Sequence, residues 1–359
     1  MSLHFHPLRV RDLRADTEEA VLVSFDVPDA LKSTFKFTQG QYLTLRAEVG
    51  GEDLRRSYSI CAGVDDGELR VGVRRVKGGR FSNWINTELK AGDTLQVFPP
   101  QGHFFVPLDA QSSRHYLGVA GGSGITPILS IMKTVLAREP DSRFTLLYGN
   151  RRQASTMFKD ELEDLKNRYL TRLALHHVFS DEVVDAPLME GVMNRAKIAA
   201  FLDSLIAPAS IDHAFVCGPY QMNDEAQAAL EAAGVAPERI HIERFGTPEM
   251  LSGRPAPHMV LDSDAESAKV VVIRDGLTRV VEFRRNDASI LDAAIRAGLD
   301  LPFSCKSGVC STCRCKLLEG EVRMDKNFAL EAHEVQAGFI LSCQAHALTP
   351  HVLVSYDER

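Results

Sequence analysis

Four cysteines carry the strongest chemical signal in the chain. Cys305, Cys310 and Cys313 lie in the run Cys305-Lys-Ser-Gly-Val-Cys310-Ser-Thr-Cys313, and Cys343 follows in Leu341-Ser342-Cys343-Gln344. The first two are separated by four residues and the next two by two, a spacing that holds a [2Fe–2S] cluster. Each iron takes two protein thiolates, so a tight loop supplies three and a neighbouring segment the fourth. Cys315 falls outside this register, and in the strand expected there it is expected to point away from Cys313. Zinc sites usually pair two Cys-x-x-Cys knuckles, and only one is present here. Seven cysteines in 359 residues are an odd number and too few for a disulfide framework. A [2Fe–2S] centre moves one electron at a time, so the remainder of the chain is expected to contain the electron source.

The bulk properties set the frame for that source. A length of 359 residues predicts two or three domains. Hydrophobic content of 45% with 25% charged residues is that of a soluble globular protein. A net charge of −7 argues against a general nucleic-acid binder. No apolar run approaches a membrane span, so no membrane partner is expected. The opening Met-Ser-Leu-His-Phe-His-Pro lacks the basic and apolar regions of a signal peptide. With reduced thiols needed for the cluster, a cytoplasmic location is expected.

Three segments are legible. Residues 1–110 contain short alternating runs, Glu19–Val27, Gln41–Ala47, Glu68–Val76 and Asp93–Phe98, separated by Gly, Asp and Pro, which predict a small antiparallel barrel or sandwich. Residues 111–245 alternate strands and helices in the manner of a doubly wound parallel sheet. The candidate strands there are Tyr116–Ala120, Arg143–Tyr148, Arg172–Phe179, His213–Cys217 and Arg239–Phe245. Residues 246–268 carry Pro248, Pro255 and Pro257 with little periodicity and read as a linker long enough to permit movement. Residues 269–359 open with strands Val270–Arg274 and Arg279–Phe283. A helix then runs from Ser289 as N-cap to Gly298 as stop, with Ile290, Leu291, Ala294 and Ile295 on one face, and leads directly into the cysteine loop.

The middle segment holds a candidate nucleotide site. Tyr116-Leu-Gly-Val-Ala-Gly-Gly-Ser-Gly-Ile-Thr-Pro127 is a strand, a glycine loop and the start of an apolar helix. Gly122-x-Gly124-x-x-Pro127 is a dinucleotide fingerprint with its third glycine replaced. Its glycines let backbone N–H groups face a pyrophosphate at the helix start. Thr126 suits the N-cap and Pro127 the first helical position, with Ile125 beside them. A glycine turn between strand and helix is common without any nucleotide, so the signal gains its weight from the domains on either side. Cys217-Gly218-Pro219 ends a later strand before the helix Gln221–Ala233, at the edge of a parallel sheet where ligands bind. Cys217 also fits a small buried turn residue. After the second strand the chain reads Tyr148-Gly149-Asn150-Arg151-Arg152 with no acid, which favours NADPH over NADH.

A nicotinamide gives up two electrons together, whereas the cluster accepts one, so a flavin is expected between them. Two stretches of the first segment qualify. Arg55-Arg56-Ser57-Tyr58-Ser59-Ile60 forms one. Arg74-Arg75-Val76-Lys77-Gly78-Gly79-Arg80-Phe81-Ser82 forms the other. Both offer cations and hydroxyls suited to a diphosphate, the second adds glycines, and Tyr58 offers a face for the isoalloxazine. On composition alone, two solvated strands of alternating charge are the stronger reading.

Taken together, Arg56-x-Tyr58-Ser59, Gly79-x-x-Ser82, Gly122-Ser-Gly-Ile-Thr-Pro127 and Cys217-Gly-Pro219 resemble the ferredoxin–NADP reductase superfamily. With a C-terminal plant-type ferredoxin segment, the order is similar to the reductase components of bacterial multicomponent oxygenases. It is more similar still to the reductases of phenylacetyl-CoA epoxidase complexes, which serve phenylacetate degradation in aromatic catabolism. Glu52–Ile60, Pro100–Phe104, Tyr148–Arg151, Glu243–Pro248 and Gly308–Lys316 carry this likeness.

The resemblance implies an antiparallel β-barrel FAD domain, an α/β NAD(P) domain and an α+β, β-grasp [2Fe–2S] domain. It implies an NAD(P)H:acceptor oxidoreductase that passes electrons from NADPH, with NADH possible, through FAD and the cluster to an oxygenase. By motif, Arg56 would pair with the FAD pyrophosphate, Tyr58 would stack on the flavin, and Ser59 would hydrogen-bond near its N5. Gly79 and Ser82 would close the diphosphate cradle, and Cys217 and Glu243 would lie by the rings. Tyr58, Ser59, Cys217 and Glu243 are thus the catalytic candidates. Phe245, Asn150 and Arg151 complete the cofactor contacts. Glu243 departs from the pattern by preceding a linker instead of a chain end. Three readings stay open beside this one: the reductase of a Rieske oxygenase such as a steroid hydroxylase, a non-enzymatic iron–sulfur redox sensor, and a zinc-stapled binding module.

Overall fold

The computed structural model describes residues 3–247 and 259–358. Two compact units result. Pro7–Leu54 with Tyr58–Phe245 form one, and Gly246–Arg359 with Met1–His6 and Arg55–Ser57 form the other.

The first unit begins with a six-stranded sheet of β1 (His6–Thr17), β2 (Ala20–Asp26), β3 (Tyr42–Val49), β4 (Glu52–Ser59), β5 (Leu69–Arg74) and β6 (Thr94–Gln101), in the order β4-β3-β6-β1-β2-β5. Ile60, just past β4, bridges Val71 of β5 antiparallel and closes the sheet on itself. Helix α1 (Arg80–Thr87) plugs the barrel with Phe81 and Ile85. β2 shows how one strand serves two cores. Val21, Val23 and Phe25 point into the barrel, while Ala20 and Leu22 point into a second core. With both faces covered, every residue of Ala20–Phe25 is buried, Ser24 included.

That second core belongs to a parallel sheet of β7 (His115–Gly121), β8 (Arg143–Asn150), β9 (Leu173–Phe179), β10 (His213–Gly218) and β11 (Ile240–Arg244), in the order β11-β10-β7-β8-β9. Helices α2 (Ile125–Arg138) and α3 (Lys159–Arg168) pack on the face nearer the barrel, and α4 (Arg195–Ser204) and α5 (Tyr220–Ala232) on the other. The strand order reverses between β7 and β10, which opens a crevice at their carboxyl ends.

The helix after the glycine loop starts earlier than expected. Gly124 is its N-cap, not Thr126, because a 3-10 turn over Gly122–Gly124 runs straight into α2. Thr126 instead donates its hydroxyl to the Ser123 carbonyl at 3.0 Å. Pro127 still lies in the first turn, where its missing N–H costs nothing.

Barrel and parallel sheet are also joined by buried charge. Arg70 of β5 makes two 2.8 Å contacts to Glu161 of α3, which also takes Lys133 of α2 at 2.5 Å. Arg70 is almost fully buried, so its charge depends on that carboxylate and on Glu68, 3.3 Å from its Nη1.

The second unit holds β12 (Ser267–Arg274), β13 (Leu277–Arg284), α6 (Ile290–Arg296), β14 (Arg314–Glu319), β15 (Val322–Met324), α7 (Ala332–Gln336), β16 (Phe339–Leu341), β17 (Ala345–Ala347) and β18 (His351–Ser355). Five strands form a sheet in the order β13-β12-β18-β14-β16, with β12 and β18 parallel, and β15 pairs with β17 apart from it. The Ser289 hydroxyl caps α6 by accepting from the Asp292 N–H at 3.1 Å. Ile290, Leu291 and Ala294 fill the core beneath the helix, with Ile295 packed against its margin. A sheet clasping one helix between a strand pair and a central parallel pair is the β-grasp arrangement. The linker prolines Pro248, Pro255 and Pro257 lie outside the described residues. Among the described residues no helix is long and apolar enough to cross a membrane.

Candidate functional site

The crevice between β7 and β10 is built from backbone. A Cβ on Gly124 would sit 2.0 Å from the Cys217 carbonyl oxygen, so the loop lies directly on the end of β10 and only glycine fits. Register then aligns Cys217 with Ala120 of β7 on one side and Glu243 of β11 on the other. Cys217 is buried, and burial pushes its thiol well above the ordinary value. Gly218 follows, and Pro219 caps α5. Ile125, Thr126 and Pro127 are all buried, which leaves Gly122 and Ser123 to face the solvent. The Tyr148 hydroxyl fixes the loop by donating to the Gly122 carbonyl at 3.0 Å.

One cation there was expected in the flavin stretch and stands at the glycine loop instead. Arg74 of β5 reaches over the loop, so that a Cβ on Gly122 would lie 2.7 Å from its Nη1. Glu19 orients the same guanidinium at 3.1 Å. At the far end of β8, Asn150 is buried and Arg151 exposed. The loop after β9 runs beside them. Asp181 N–H donates to the Arg151 carbonyl at 2.9 Å, and the Glu182 carboxylate accepts from the Gln153 N–H at 2.6 Å. Acids are thus present at this turn, supplied by another strand.

On the barrel side, Tyr58 is half-buried at the end of β4 and stacks near Phe81, with centroids 6.2 Å apart and planes 23° from parallel. The neighbouring Ser59 is buried and donates its hydroxyl to Glu243 Oε2 at 3.2 Å. The Glu243 carboxyl is pushed up to about 8 by burial, with the Ser59 hydrogen bond pulling the other way. Asn223 of α5 holds the Glu243 backbone carbonyl at 3.0 Å. Three strand ends from two sheets therefore bring Tyr58, Ser59, Cys217 and Glu243 to one place.

Other flavin candidates stand differently. Arg56 is exposed, with its guanidinium donating to the Arg55 carbonyl at 2.7 Å, and Ser57 is half-buried beside it. Gly78 and Gly79 turn the chain into α1, whose N-cap Gly79 brings no side chain to the first N–H groups. Ser82 faces inward and accepts from the Val76 N–H at 3.1 Å. Arg80 is turned onto the β3–β4 connection by Glu52 at 2.5 Å and the Val49 carbonyl at 2.9 Å. Phe245 is 44% exposed beyond β11. A half-buried aromatic, an uncapped helix start and a desolvated carboxyl fit a flavin dinucleotide.

In the second unit the cysteine thiols gather. Cys310 Sγ lies 3.2 Å from Cys305 Sγ, and Cys343 hydrogen-bonds to both Cys305 and Cys313. Cys305 is held well below its ordinary value, because Cys310, Cys343 and the Ser307 N–H all donate to it. Three of the four are buried and Cys305 is partly exposed. Among the described residues no three Cys, His, Asp or Glu side chains are grouped to hold a single metal ion. The thiols instead form linked pairs, a donor set suited to soft iron in a binuclear cluster. Lys306 and Gly308 both take positive φ to wrap the loop, and a Cβ on Gly308 would meet the Lys326 carbonyl at 2.9 Å.

Cys315 corrects an expectation. Residues two apart in a strand share a face, so alternation cannot turn it from Cys313. Cys313 lies in the turn ahead of β14, and both thiols are buried in one core. What occupies the Cys315 thiol is a hydrogen bond with Tyr356, while burial raises it far above the ordinary value.

Three segments of the chain match known families. Residues 9–106 match the oxidoreductase FAD-binding domain family, 119–228 the oxidoreductase NAD-binding domain family and 272–348 the 2Fe-2S iron-sulfur cluster binding domain family. One subunit of the 1,2-phenylacetyl-CoA epoxidase of Escherichia coli (strain K12) is 45% identical over 355 residues, covering 99% of this chain and 98% of that protein. The ferredoxin reductase component of the 3-ketosteroid-9-alpha-monooxygenase of Mycobacterium tuberculosis (strain CDC 1551 / Oshkosh) is 36% identical over 368 residues, covering 99% and 97%. Among solved structures, phthalate dioxygenase reductase has the same fold, with a TM-score of 0.59, 24% identity and 98% coverage of both chains. The chain belongs to the family of oxygenase reductases that join an FAD-binding, an NAD-binding and a C-terminal 2Fe-2S domain in one polypeptide.

Proposed function

We propose that the chain oxidises NADPH and delivers the electrons singly to the diiron oxygenase of a phenylacetyl-CoA epoxidase complex in the cytoplasm. The observation that carries this reading is the 45% identity to the Escherichia coli epoxidase subunit, sustained over 355 residues. When bound, FAD takes an electron pair from the nicotinamide and the [2Fe–2S] cluster carries electrons one by one.

The residues divide the remaining tasks. The loop around Gly122 and the start of α2 bind the nucleotide pyrophosphate, with Arg74 adding charge from the barrel. Cys217 and Pro219 form the floor beneath the nicotinamide. Tyr58 would stack on the flavin ring, and Arg56 and the first turn of α1 would each offer a group to the flavin diphosphate. Ser59 and Glu243 fix the approach of the two rings, where catalysis is largely positioning. Burial pushes the Glu243 carboxyl up to about 8, which favours its neutral form beside Ser59 at neutral pH. Cys305, Cys310, Cys313 and Cys343 hold the cluster, and the epoxidase substrate belongs to the partner.

Reconstitution tests the partner. With NADPH, the purified chain is expected to support turnover by a diiron phenylacetyl-CoA oxygenase and not by a Rieske-type ketosteroid oxygenase. The 36% identity to the steroid enzyme's reductase makes the reverse result the informative one, and it would move the chain to that client.

Nucleotide choice rests on Arg151. Replacing it with alanine removes a charge-assisted contact to a 2′-phosphate, which is expected to raise the Michaelis constant for NADPH about tenfold. The constant for NADH should stay unchanged. Equal effects on both would end the NADPH assignment and turn attention to Asp181 and Glu182.

A further inference from the structure

Gln344 follows the fourth cysteine and is 3% exposed. Its side-chain nitrogen faces three acceptors: the Cys343 carbonyl at 2.9 Å, the Lys306 carbonyl at 3.1 Å and Cys343 Sγ at 3.6 Å. None of the three can donate to the amide oxygen when Cys343 is a thiolate, so the nitrogen must face them. The stem of the side chain lies against the cysteine loop, where a Cβ on Gly308 would be 3.3 Å from its Cγ. Its backbone carbonyl accepts from the Asp325 N–H at 3.0 Å. The residue thus spans the loop carrying three of the cysteines and the segment carrying the fourth.

We propose that Gln344 is a positioning residue that clasps Cys343 to the cysteine loop and, by donating toward its sulfur, raises the reduction potential of the cluster. The inference rests on the four-cysteine ligand set proposed above. Reduction adds negative charge that spreads onto the thiolate sulfurs, and a hydrogen-bond donor beside one of them stabilises that charge. The Lys306 contact adds a geometric role. Lys306 is held at a positive φ of 51°, and the amide keeps its carbonyl turned inward, which keeps the loop wrapped toward Cys343.

The test is an EPR-monitored redox titration of the holoprotein and of Gln344→Met, which keeps volume and removes the donors. The variant is expected to show a more negative midpoint and shifted g-values at equal iron content. Gln344→Glu, which places a carboxylate against two carbonyls and a thiolate, should move the midpoint further in the same direction. A second measurement needs no variant: wild-type protein carrying 15N in glutamine side-chain amides should show a nitrogen coupling to the reduced cluster in pulsed EPR. Gln344→Met with full iron and an unchanged midpoint and spectrum would overturn the proposal, as would the absence of that coupling. Wild-type protein with no iron–sulfur signal would remove the ligand set itself, a different result from either.

Discussion

Replacing Cys310 with serine is expected to cut cytochrome c reduction by about two orders of magnitude or more while NADPH still bleaches the bound flavin. Outer-shell changes at metal sites already cost about 10–100-fold, and this change removes a ligand outright. Serine offers a hard, protonated oxygen where the cluster takes a soft thiolate. Cys310 is 6% exposed, so solvent has little room to supply a substitute. The confinement of the damage follows from packing. The core beneath the cysteine loop is built from residues 268–356, whereas the barrel and parallel sheet fill their own cores from residues before 246. Stopped-flow absorbance for the flavin and a cytochrome assay for onward transfer separate the two arms. Loss of both in a folded variant would count against a modular electron path.

The fold was legible where local chemistry repeats. The five apolar strands of the parallel sheet, the Ser289 cap and the cysteine spacing each announce themselves within a few residues. β2 was equally plain, since it lies within the run Glu19–Val27. The short strands after the cysteine loop, β14 to β18, gave little periodicity to detect, and β16 and β17 are only three residues long. The helix after the glycine loop was misplaced by two residues because a 3-10 turn can enter a helix without a polar cap.

Juxtapositions were hidden for a different reason. Arg74 over Gly122, Glu182 beside Gln153 and Gln344 against Gly308 each join segments that meet only after sheet order and register are fixed. The cysteine geometry had the same limit. Spacing identified Cys343 as a partner, but not the amide beside it that reaches back to Lys306.

Ser59 and Glu243 are the pair whose removal should cost most in the flavin unit. Ser59→Ala is expected to slow NADPH oxidation about 100-fold with little change in the Michaelis constant. A misplacement of about 1 Å between reacting groups carries a penalty of that size, and nothing that binds the nucleotide is touched. Its hydroxyl is buried and donates to Glu243 at 3.2 Å, so alanine also leaves the carboxyl without the contact that favours its ionised form.

The pH dependence then has a defined sign. Burial lifts the folded-state value of Glu243 from 4.5 to about 8, so between these limits the native state keeps a proton that the unfolded chain releases. This group's contribution to stability is present in full below about 4.5, declines as pH rises through the window and is gone above about 8. Glu243→Gln, which is neutral throughout, should remove that decline, and denaturant titrations at stepped pH would read it. Ser59→Ala should extend the decline to higher pH, because the contact that lowers the carboxyl is lost. If Glu243→Gln kept the wild-type slope, the carboxyl would be solvated in the native protein. The case for a neutral group at the ring junction would fall with it, leaving Ser59 to act on geometry alone.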